Sequence, residues 1–529
     1  METNVADLLA TAALAEPDKT ALSEAATGRS VTWAGLDDLA DRLAGGLARS
    51  GMVAGYRVVL ITTNRIEFVA TYLGALRANL VVVPVNPRSA TGELIRILAD
   101  CGARVVVADE STVDLVRDAV GGLVGAIEVS PEEVPGAVRP RIVTVGVAAD
   151  EGEVAWEDLV SQPVGTPMPA RQDDEGLAVL LYTSGTSGRP RAAMLSHRAL
   201  LANIEQAAAV EPRLIIGRDV VFGVLPLFHV YGLNAVLGQV LRQHARMVLV
   251  DGFDPEGSLD IIEDEAISVV PVAPPVFAYW MQVPSLEDRL GPVRLVLSGS
   301  APLSPELTSA FTERTGVVVH QGYGLTEAAP VVTSTQCSDP VVPGSVGAPL
   351  PGIELRLLDE DGREPTDEDG GEILVRGANL FSGYWPDGAD GPDAEGWWRT
   401  GDVGYLDGSG NLFLVDRLKE LVIVSGFNVY PSEVEDVIRE LPDVAAAAVI
   451  GVDDEETGEA VVAYVLPGDA VDPGALVEQV LAHCDARLAR FKQPSVVHVV
   501  EQLPYTYTGK VQKGRLRATE RRRALGLLE

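Results

Sequence analysis

Cysteine, positive charge and long apolar runs are all scarce in this chain. Its three cysteines, Cys101, Cys337 and Cys484, lie far apart and form no CxxC pair, so neither a disulfide-stabilised scaffold nor a cysteine-rich metal site is expected. No stretch approaches the roughly 18 apolar residues of a membrane-spanning helix, and the first residues lack the basic segment of a secretory signal. The sequence predicts a cytoplasmic protein with reduced thiols and no integral membrane association.

The charge balance is strongly acidic. Asp and Glu number 76 against 41 Lys and Arg, which leaves a formal charge of −35. Such a field repels phosphate backbones, so no nucleic-acid partner is expected, and any anionic ligand must be held by local donors. Only five of the basic residues are lysines, and four of those fall in the last 111 residues. A lysine retained in an arginine-using chain indicates that a compact ammonium is needed there.

The length and the hydrophobic pattern predict an α/β fold. A chain of 529 residues is too long for one hydrophobic core. Short β-branched runs alternate with amphipathic helical patterns, which is typical of parallel sheets covered on both faces. The predicted strands of this part are 57–62, 80–85, 104–109, 267–272, 293–300 and 317–324, with helices at 65–77 and 91–102 and another opened by a Ser304 cap.

The pattern changes after Asp416. Helices are predicted at 432–441 and 473–488, and strands at 444–452 and 460–467, which is enough for a separate α+β domain. We therefore predict a large N-terminal α/β domain over residues 1–416 and a small C-terminal domain over 417–529. Two acidic, Gly- and Pro-rich stretches, 359–371 and 386–396, are predicted to be solvated loops.

The loop from Tyr182 to Arg191 carries the strongest chemical signal. Four hydroxyl side chains and two glycines occupy residues 183–188 directly after an apolar strand. Backbone N–H and hydroxyl donors in such a loop can surround phosphate oxygens, and Arg191 adds a charged fork. The segment does not match GxxxxGK[ST], so it is not an ordinary P-loop.

This loop resembles the signature of the adenylate-forming superfamily, which includes acyl-CoA synthetases, adenylation domains and luciferases. Further motifs of that superfamily follow in its order and cover nearly the whole chain. They are QGYGLTE at 321–327, TGD at 400–402, DRLKE at 416–420 with Ser425 and Gly426, and PYTYTGK at 504–510. The resemblance implies a mobile C-terminal domain with a hinge near 417–419.

The resemblance also implies a role for each motif. Glu327 is expected to hold Mg²⁺ against the phosphates of ATP, with Thr326 donating to the α-phosphate. Asp402 is expected to accept the ribose hydroxyls, and Tyr323 to stack on the adenine. The wider set of nucleotide- and CoA-binding residues implied is Thr183, Ser184, Gly185, Thr186, Ser187, Gly188, Arg191, Ser300, Ala301, Pro302, Gln321, Gly322, Gly324, Leu414, Arg417, Lys419, Ser425, Gly426 and Phe427.

Two further residues are implied to act on the acid. Lys510 is expected to bridge the carboxylate and the nucleotide while the acyl adenylate forms, because an ammonium can order two anions that otherwise repel. His229, in the segment PLFHVYG at 226–232, is expected at the mouth of the acyl pocket. That segment contains no acidic residue to hold an amino group, which argues against an amino-acid substrate.

Two positions depart from the superfamily pattern. Arg191 and Ala192 stand where lysine and glycine are usual, and the FSGYW element at 381–385 is followed by an unusual acidic loop. Arginine can still contact pyrophosphate, and Ala192 adds a methyl group where glycine allows close packing. These departures affect how efficiently the loop is expected to bind the phosphates of the nucleotide.

The resemblance as a whole implies an AMP-forming acid–CoA ligase that uses ATP, Mg²⁺ and coenzyme A, with a medium- or long-chain fatty acid as the expected substrate. An acyl-AMP ligase that loads a carrier protein and an aryl-acid CoA ligase are open alternatives. A nucleotide-binding paralogue without turnover is the least favoured. The sequence leaves a carrier-protein partner and a homo-oligomeric state open.

Overall fold

A computed structural model describes residues 2–134, 136–161, 173–183, 191–301, 303–359, 362–365, 370–417, 420–424, 427–454, 457–468, 472–506 and 509–524. Within these ranges the strands form four sheets. None of the helices in the described ranges is both long and apolar enough to cross a membrane.

The first sheet has seven strands in the order β7-β6-β5-β3-β4-β8-β9. All neighbours run parallel except β8 and β9, which form an antiparallel hairpin. Its strands are β3 (Arg57–Ile61), β4 (Val81–Pro84), β5 (Val105–Asp109), β6 (Arg141–Val145), β7 (Val154–Ala155), β8 (Leu177–Thr183) and β9 (Arg191–Ser196). The loop between β8 and β9 is therefore the predicted phosphate loop, of which 184–190 lie outside the described residues.

The second sheet has nine strands in the order β16-β15-β14-β13-β12-β10-β11-β1-β2. Its centre is parallel and its two ends are antiparallel. Its strands are β1 (Thr20–Glu24), β2 (Ser30–Thr32), β10 (Val220–Gly223), β11 (Arg246–Leu249), β12 (Val269–Val272), β13 (Leu295–Ser298), β14 (Val319–Gly324), β15 (Val331–Ser334) and β16 (Ala348–Pro349). The predicted adenine-binding residues follow β13 or belong to β14.

Helices cover both sheets and connect their strands. They are α1 (Asp7–Ala15), α2 (Trp33–Arg49), α3 (Ile66–Arg77), α4 (Thr91–Cys101), α5 (Val113–Val129), α6 (Trp156–Ser161), α7 (His197–Ala208), α8 (Gln239–Gln243), α9 (Pro255–Asp264), α10 (Pro275–Trp280), α11 (Leu286–Arg289) and α12 (Pro305–Thr315). Residues Tyr231–Gly238 form a π-helical segment, and Pro131–Glu133, Thr326–Ala328 and Thr335–Cys337 form short 3₁₀ turns. One apolar core runs between the two sheets and includes Trp33, Phe68 and Tyr72.

The remaining strands form two smaller sheets. An antiparallel four-stranded sheet contains β17 (Ile353–Leu358), β18 (Gly371–Gly377), β19 (Trp397–Leu406) and β20 (Leu412–Arg417). A five-stranded sheet follows with β21 (Val422–Val424), β22 (Phe427–Val429), β23 (Val444–Asp454), β24 (Gly458–Pro467) and β25 (Val496–Val499). Around it lie α13 (Pro431–Arg439), α14 (Pro473–Arg487), α15 (Lys513–Ala524) and a 3₁₀ turn at Arg490–Lys492.

The strands and helices predicted from the sequence are confirmed with small shifts at their ends. The predicted parallel arrangement is confirmed for both large sheets, and the predicted Ser304 cap accepts a hydrogen bond from the Leu307 N–H at 3.2 Å. The buried side chains around β23 and β24 form two clusters composed entirely of residues after 421. This last region thus has apolar cores of its own.

Candidate active site

Glu327 lies in the 3₁₀ turn that follows β14, and the turn is held rigidly. The side-chain amides of Asn379 and Asn234 donate to the backbone oxygens of Ala328 and Ala329 at 2.7 and 2.6 Å. Glu327 is only 9% exposed, and its Oε1 accepts a 2.6 Å hydrogen bond from the Tyr384 hydroxyl. A fixed, buried carboxylate is therefore present where the sequence predicts the metal ligand, next to Thr326.

Mg²⁺ prefers oxygen ligands and usually keeps waters or substrate phosphates in its shell. Among the described residues no group of three His, Cys, Asp or Glu side chains could hold a metal alone. A single buried carboxylate fits a cation that is shared with the phosphates of a nucleotide. The donor chemistry of Glu327 is thus suited to Mg²⁺ in the presence of ATP.

The predicted adenine-binding residues lie side by side. Strands β13 and β14 are parallel neighbours in which Ser298 pairs with Gln321, so the segment with Ser300 and Ala301 emerges beside Gln321–Gly324. Ser300 adopts φ of 78°, a left-handed conformation that a non-glycine residue adopts only rarely. Pro302 lies outside the described residues.

Gly322 and Gly324 are both constrained by close backbone. A Cβ at Gly322 would lie 2.6 Å from the Thr333 oxygen, and one at Gly324 would lie 2.4 Å from the Pro330 oxygen. No side chain fits at either position, so both glycines are required by the pairing of this edge with β15.

Asp402 and Tyr323 are hydrogen-bonded to each other. Asp402 lies in β19 and is 6% exposed, and its Oδ2 accepts a 2.6 Å bond from the hydroxyl of Tyr323, which is 7% exposed. Asp402 pairs with Arg417 across β19 and β20, and Leu414 lies on the same strand as Arg417. The sequence predicted both Asp402 and Tyr323 but not their contact, because the two residues are 79 positions apart.

The charge of Lys510 acts on His229, although the two residues are far apart in the sequence. Burial, reinforced by the positive charge of Lys510, lowers the pKa of His229 to about 4. The Tyr231 N–H donates to His229 Nδ1 at 3.3 Å, which places the proton of the neutral ring on Nε2. The imidazole is therefore a neutral donor at physiological pH.

The loop that carries Lys510 packs against the N-terminal part of the chain. Gly509 has φ of +83°, and a Cβ there would lie 2.6 Å from Cγ of Pro275 in α10. The Lys510 N–H donates to Thr506 Oγ1 at 3.0 Å, and its carbonyl accepts from the Thr506 N–H at 2.7 Å. A tight glycine turn thus places the Lys510 backbone next to α10.

The effect of the Lys510 charge on His229 gives a direct spectroscopic prediction. Removal of the ammonium in Lys510→Ala should raise the pKa of His229, because a nearby positive charge disfavours the imidazolium. Burial remains the larger cause, so the pKa should stay below the ordinary 6.5. The chain has six histidines, so an NMR titration of ¹³C-histidine-labelled protein, assigned with His229→Gln, can follow the change. An unchanged His229 titration would place the two side chains apart.

Arg191 and Tyr384 form a contact that the sequence did not predict. The guanidinium carbon of Arg191 lies 3.8 Å from the centre of the Tyr384 ring, and Nη2 of Arg191 lies 2.6 Å from Oδ2 of Asp390. Burial, the negative charge of Glu327 and the hydrogen bond to it raise the pKa of Tyr384, which keeps its hydroxyl protonated as a donor. The only sequence signals for this contact were the FSGYW element and the acidic loop after it.

Some predicted residues cannot be placed. Thr183 ends β8, and its hydroxyl donates to the Arg191 carbonyl at 3.3 Å, whereas Ser184, Gly185, Thr186, Ser187 and Gly188 lie outside the described residues. So do Lys419, Ser425 and Gly426. Arg417 and Phe427 are placed as ends of β20 and β22.

Two family models match the chain. The model described as AMP-binding enzyme matches residues 9–385, and the one described as AMP-binding enzyme C-terminal domain matches residues 433–510. The two matches include the motifs at 182–191, 226–232, 321–327 and 504–510, whereas those at 400–402 and 416–426 lie between them.

Curated relatives match over almost their whole length. A 4-coumarate–CoA ligase-like protein (number 9) from rice, Oryza sativa subsp. japonica, is 34% identical over 94% of this chain and 90% of its own. An indoleacetate–CoA ligase from Aromatoleum aromaticum is 33% identical over 95% of both chains.

Solved structures share the fold. ATP-bound MatB from Rhodopseudomonas palustris superposes with a TM-score of 0.85 at 33% identity, over 98% of this chain and 99% of its own. The anthranilate CoA ligase AuaEII in complex with anthranoyl-AMP gives 0.86 at 27% identity, over 99% and 100%. A fatty acyl CoA synthetase from Mycobacterium tuberculosis gives 0.75 at 27% identity, over 98% of each chain.

Proposed function

The chain belongs to the AMP-binding enzyme family and is an ATP-dependent acid–CoA ligase, and we propose that its acid substrate is aromatic. The carboxylate oxygen attacks the α-phosphorus of ATP, and pyrophosphate leaves. The thiol of CoA then attacks the carbonyl carbon of the acyl adenylate, and AMP leaves with the bridging oxygen. The observation that carries the proposed mechanism is that the Lys510 turn packs against α10 at Gly509 and that the charge of Lys510 acts on His229.

Lys510 and His229 form the proposed acid-binding end of the site. The ammonium of Lys510 orders the carboxylate against the α-phosphate and offsets the negative charge that develops there. His229, neutral because its pKa is about 4, can donate from Nε2 to the substrate carboxylate without adding a second fixed charge.

Glu327 and Asp402 form the proposed nucleotide-binding end. Mg²⁺, when bound, neutralises phosphate charge and makes the α-phosphorus easier to attack. Glu327 holds this cation through its buried carboxylate, and Thr326 donates to the α-phosphate. Asp402 accepts the ribose hydroxyls, and the hydrogen bond from Tyr323 fixes its orientation.

We further propose that the region from Arg417 onward rotates as a mobile domain between the two steps. Residues 1–416 would then form the larger domain and 417–529 the smaller. The apolar cores confined to residues after 421 support a unit that can move as a body. In this proposal Lys419 is the hinge, and Ser425, Gly426 and Phe427 face the pantetheine arm of CoA after the rotation.

An aromatic acid replaces the fatty acid that the sequence predicted. The curated relatives described above are named for 4-coumarate and indoleacetate, and one solved relative holds anthranoyl-AMP. A ring is also present beside the proposed site, since a Cβ at Gly299 would lie 3.0 Å from Cε1 of Tyr231.

The proposal is tested by incubating the enzyme with ATP, Mg²⁺, CoA and single acids, and quantifying products by mass spectrometry. The acids are 4-coumarate, indoleacetate, benzoate and anthranilate against octanoate and palmitate. We expect acyl-CoA and equimolar AMP, with kcat/KM at least about ten-fold higher for the best aromatic acid, since pocket shape discriminates by roughly this factor.

Three outcomes would contradict parts of the proposal. A preference for octanoate or palmitate would restore the fatty-acid prediction. Acyl adenylate without thioester would indicate a carrier protein as acceptor. Bound ATP with no product from any acid would indicate a paralogue without turnover.

A further inference from the structure

Backbone hydrogen bonds hold the segment around Tyr384 on two sides. One side is the turn that carries Glu327, and the other is the strand that carries Arg191. The Phe381 N–H donates to the Glu327 carbonyl at 2.9 Å. On the other side, the segment 381–385 pairs with β9, where the Met194 N–H donates to the Gly383 carbonyl at 3.0 Å and the Trp385 N–H donates to the Ala192 carbonyl at 2.9 Å. These backbone hydrogen bonds therefore determine the position of Tyr384 relative to Glu327 and Arg191.

The side chains continue this arrangement into a chain of four residues. Asp390 pairs with Arg191 at 2.6 Å, Arg191 lies on the face of the Tyr384 ring at 3.8 Å, and the Tyr384 hydroxyl donates to Glu327 Oε1 at 2.6 Å. A planar guanidinium stacks on an aromatic face better than an ammonium does. It also has five N–H donors, so contact with the ring and Asp390 leaves others for a phosphate.

We propose that Tyr384 is a positioning residue for Glu327, and that Arg191 supports it through the ring face. The inference rests on the proposed function, because it assigns Glu327 to the metal shared with ATP. The hydrogen bond occupies one carboxylate oxygen and fixes the direction of the other. Groups that orient a metal ligand in this way commonly contribute about 10- to 100-fold to metal affinity.

This assignment also explains a departure of the sequence from its family pattern. Arginine in place of the usual lysine at position 191 supplies the flat surface that the Tyr384 ring contacts. The acidic loop, expected to be merely solvated, supplies Asp390, which anchors the guanidinium in that place.

The inference is tested with Tyr384→Phe, which keeps the ring and removes the hydroxyl. Binding of Mn²⁺ in the presence of α,β-methylene-ATP, a nucleotide that cannot release pyrophosphate, is followed by EPR. We expect Mn²⁺ to bind about ten-fold more weakly in Tyr384→Phe than in the wild type. Tyr405→Phe is the matched control, because Tyr405 stacks on Phe413 at 4.7 Å, and it should bind as the wild type does.

A double variant separates positioning from a general structural effect. In the Glu327→Ala background, Tyr384→Phe should cause no further weakening, because the hydroxyl acts through the missing carboxylate. Equal Mn²⁺ binding by Tyr384→Phe and wild type, or a full additional loss in the Glu327→Ala background, would overturn the inference.

Two further measurements cover an unstable Tyr384→Phe variant and a wild-type enzyme that forms no acyl-CoA. If Tyr384→Phe lowers the unfolding midpoint strongly, Arg191→Lys replaces it: this variant keeps the charge near the phosphates, loses the planar stack, and should weaken Mn²⁺ binding several-fold. Wild-type affinity in Arg191→Lys would then overturn the inference. A wild-type enzyme that binds Mn²⁺ and nucleotide but yields no acyl-CoA would refute the proposed function and leave this comparison valid.

Discussion

Replacing Lys510 with alanine should reduce acid-dependent adenylation about 100- to 1,000-fold, since loss of one charged donor to a developing anion costs this much. The thioesterification of supplied acyl adenylate should proceed at close to the wild-type rate. In the proposed mechanism Lys510 acts beside His229 only while the anhydride forms, and it leaves the site before CoA attacks. Pyrophosphate exchange measures the first step, and acyl-CoA formation from synthetic acyl adenylate measures the second.

Lys492→Ala is the matched control for this experiment. Lys492 lies in the same C-terminal region, and its ammonium is 2.6 Å from Oε1 of Glu433. Both steps should remain near their wild-type rates in this variant. An equal loss of both steps in Lys510→Ala would contradict the division of labour and the proposed rotation.

Replacing Asp402 with alanine should raise the KM for ATP about 100-fold. The variant loses the carboxylate that we propose accepts the ribose hydroxyls, and hydrogen bonds to a charged group contribute about 1.5–3 kcal/mol each. It also removes the acceptor of the 2.6 Å bond from Tyr323. Initial rates against ATP concentration at saturating acid and Mg²⁺, with equilibrium dialysis of ATP, separate weaker binding from slower chemistry.

Tyr323→Phe separates two contributions to the rise in KM for ATP: the loss of the Asp402 carboxylate and the loss of its orientation. This variant keeps the Asp402 carboxylate and removes only the donor that orients it, so its KM for ATP should rise by a smaller factor, about ten-fold. An Asp402→Ala enzyme with a wild-type KM would show that this carboxylate does not hold the ribose. A Tyr323→Phe enzyme as impaired as Asp402→Ala would indicate that orientation of the carboxylate accounts for the whole effect.

The alternation of apolar strands and helices predicted the two large sheets well, because burial on both faces of a parallel strand leaves a clear local pattern. The position of each motif on its strand or turn followed from that pattern. The resemblance supplied the roles of Glu327, Asp402 and Lys510.

Contacts between motifs could not be predicted in the same way. Tyr384 and Glu327 are 57 positions apart, and their hydrogen bond depends on how a loop pairs with β9. The acidic loop had a composition typical of solvent exposure, and nothing local indicated that Asp390 pairs with Arg191. Such contacts are set by tertiary packing, which leaves no periodic signal along the chain.

The nature of the acid was beyond the reach of the sequence for a related reason. The segment 226–232 is apolar, and apolar residues suit an alkyl chain and a ring equally. The structure adds that Tyr231 lies against Gly299, from a strand end far along the chain. Pocket shape arises from such distant pairs.

The most direct test of the central claim follows the oxygen atoms. An accepted acid labelled with ¹⁸O in both carboxylate positions is converted with ATP, Mg²⁺ and CoA, and the AMP is analysed by mass spectrometry. Attack of the carboxylate on the α-phosphorus predicts one ¹⁸O atom in each AMP formed, with one retained in the thioester. AMP without ¹⁸O, or label recovered in inorganic phosphate, would contradict an acyl-adenylate intermediate.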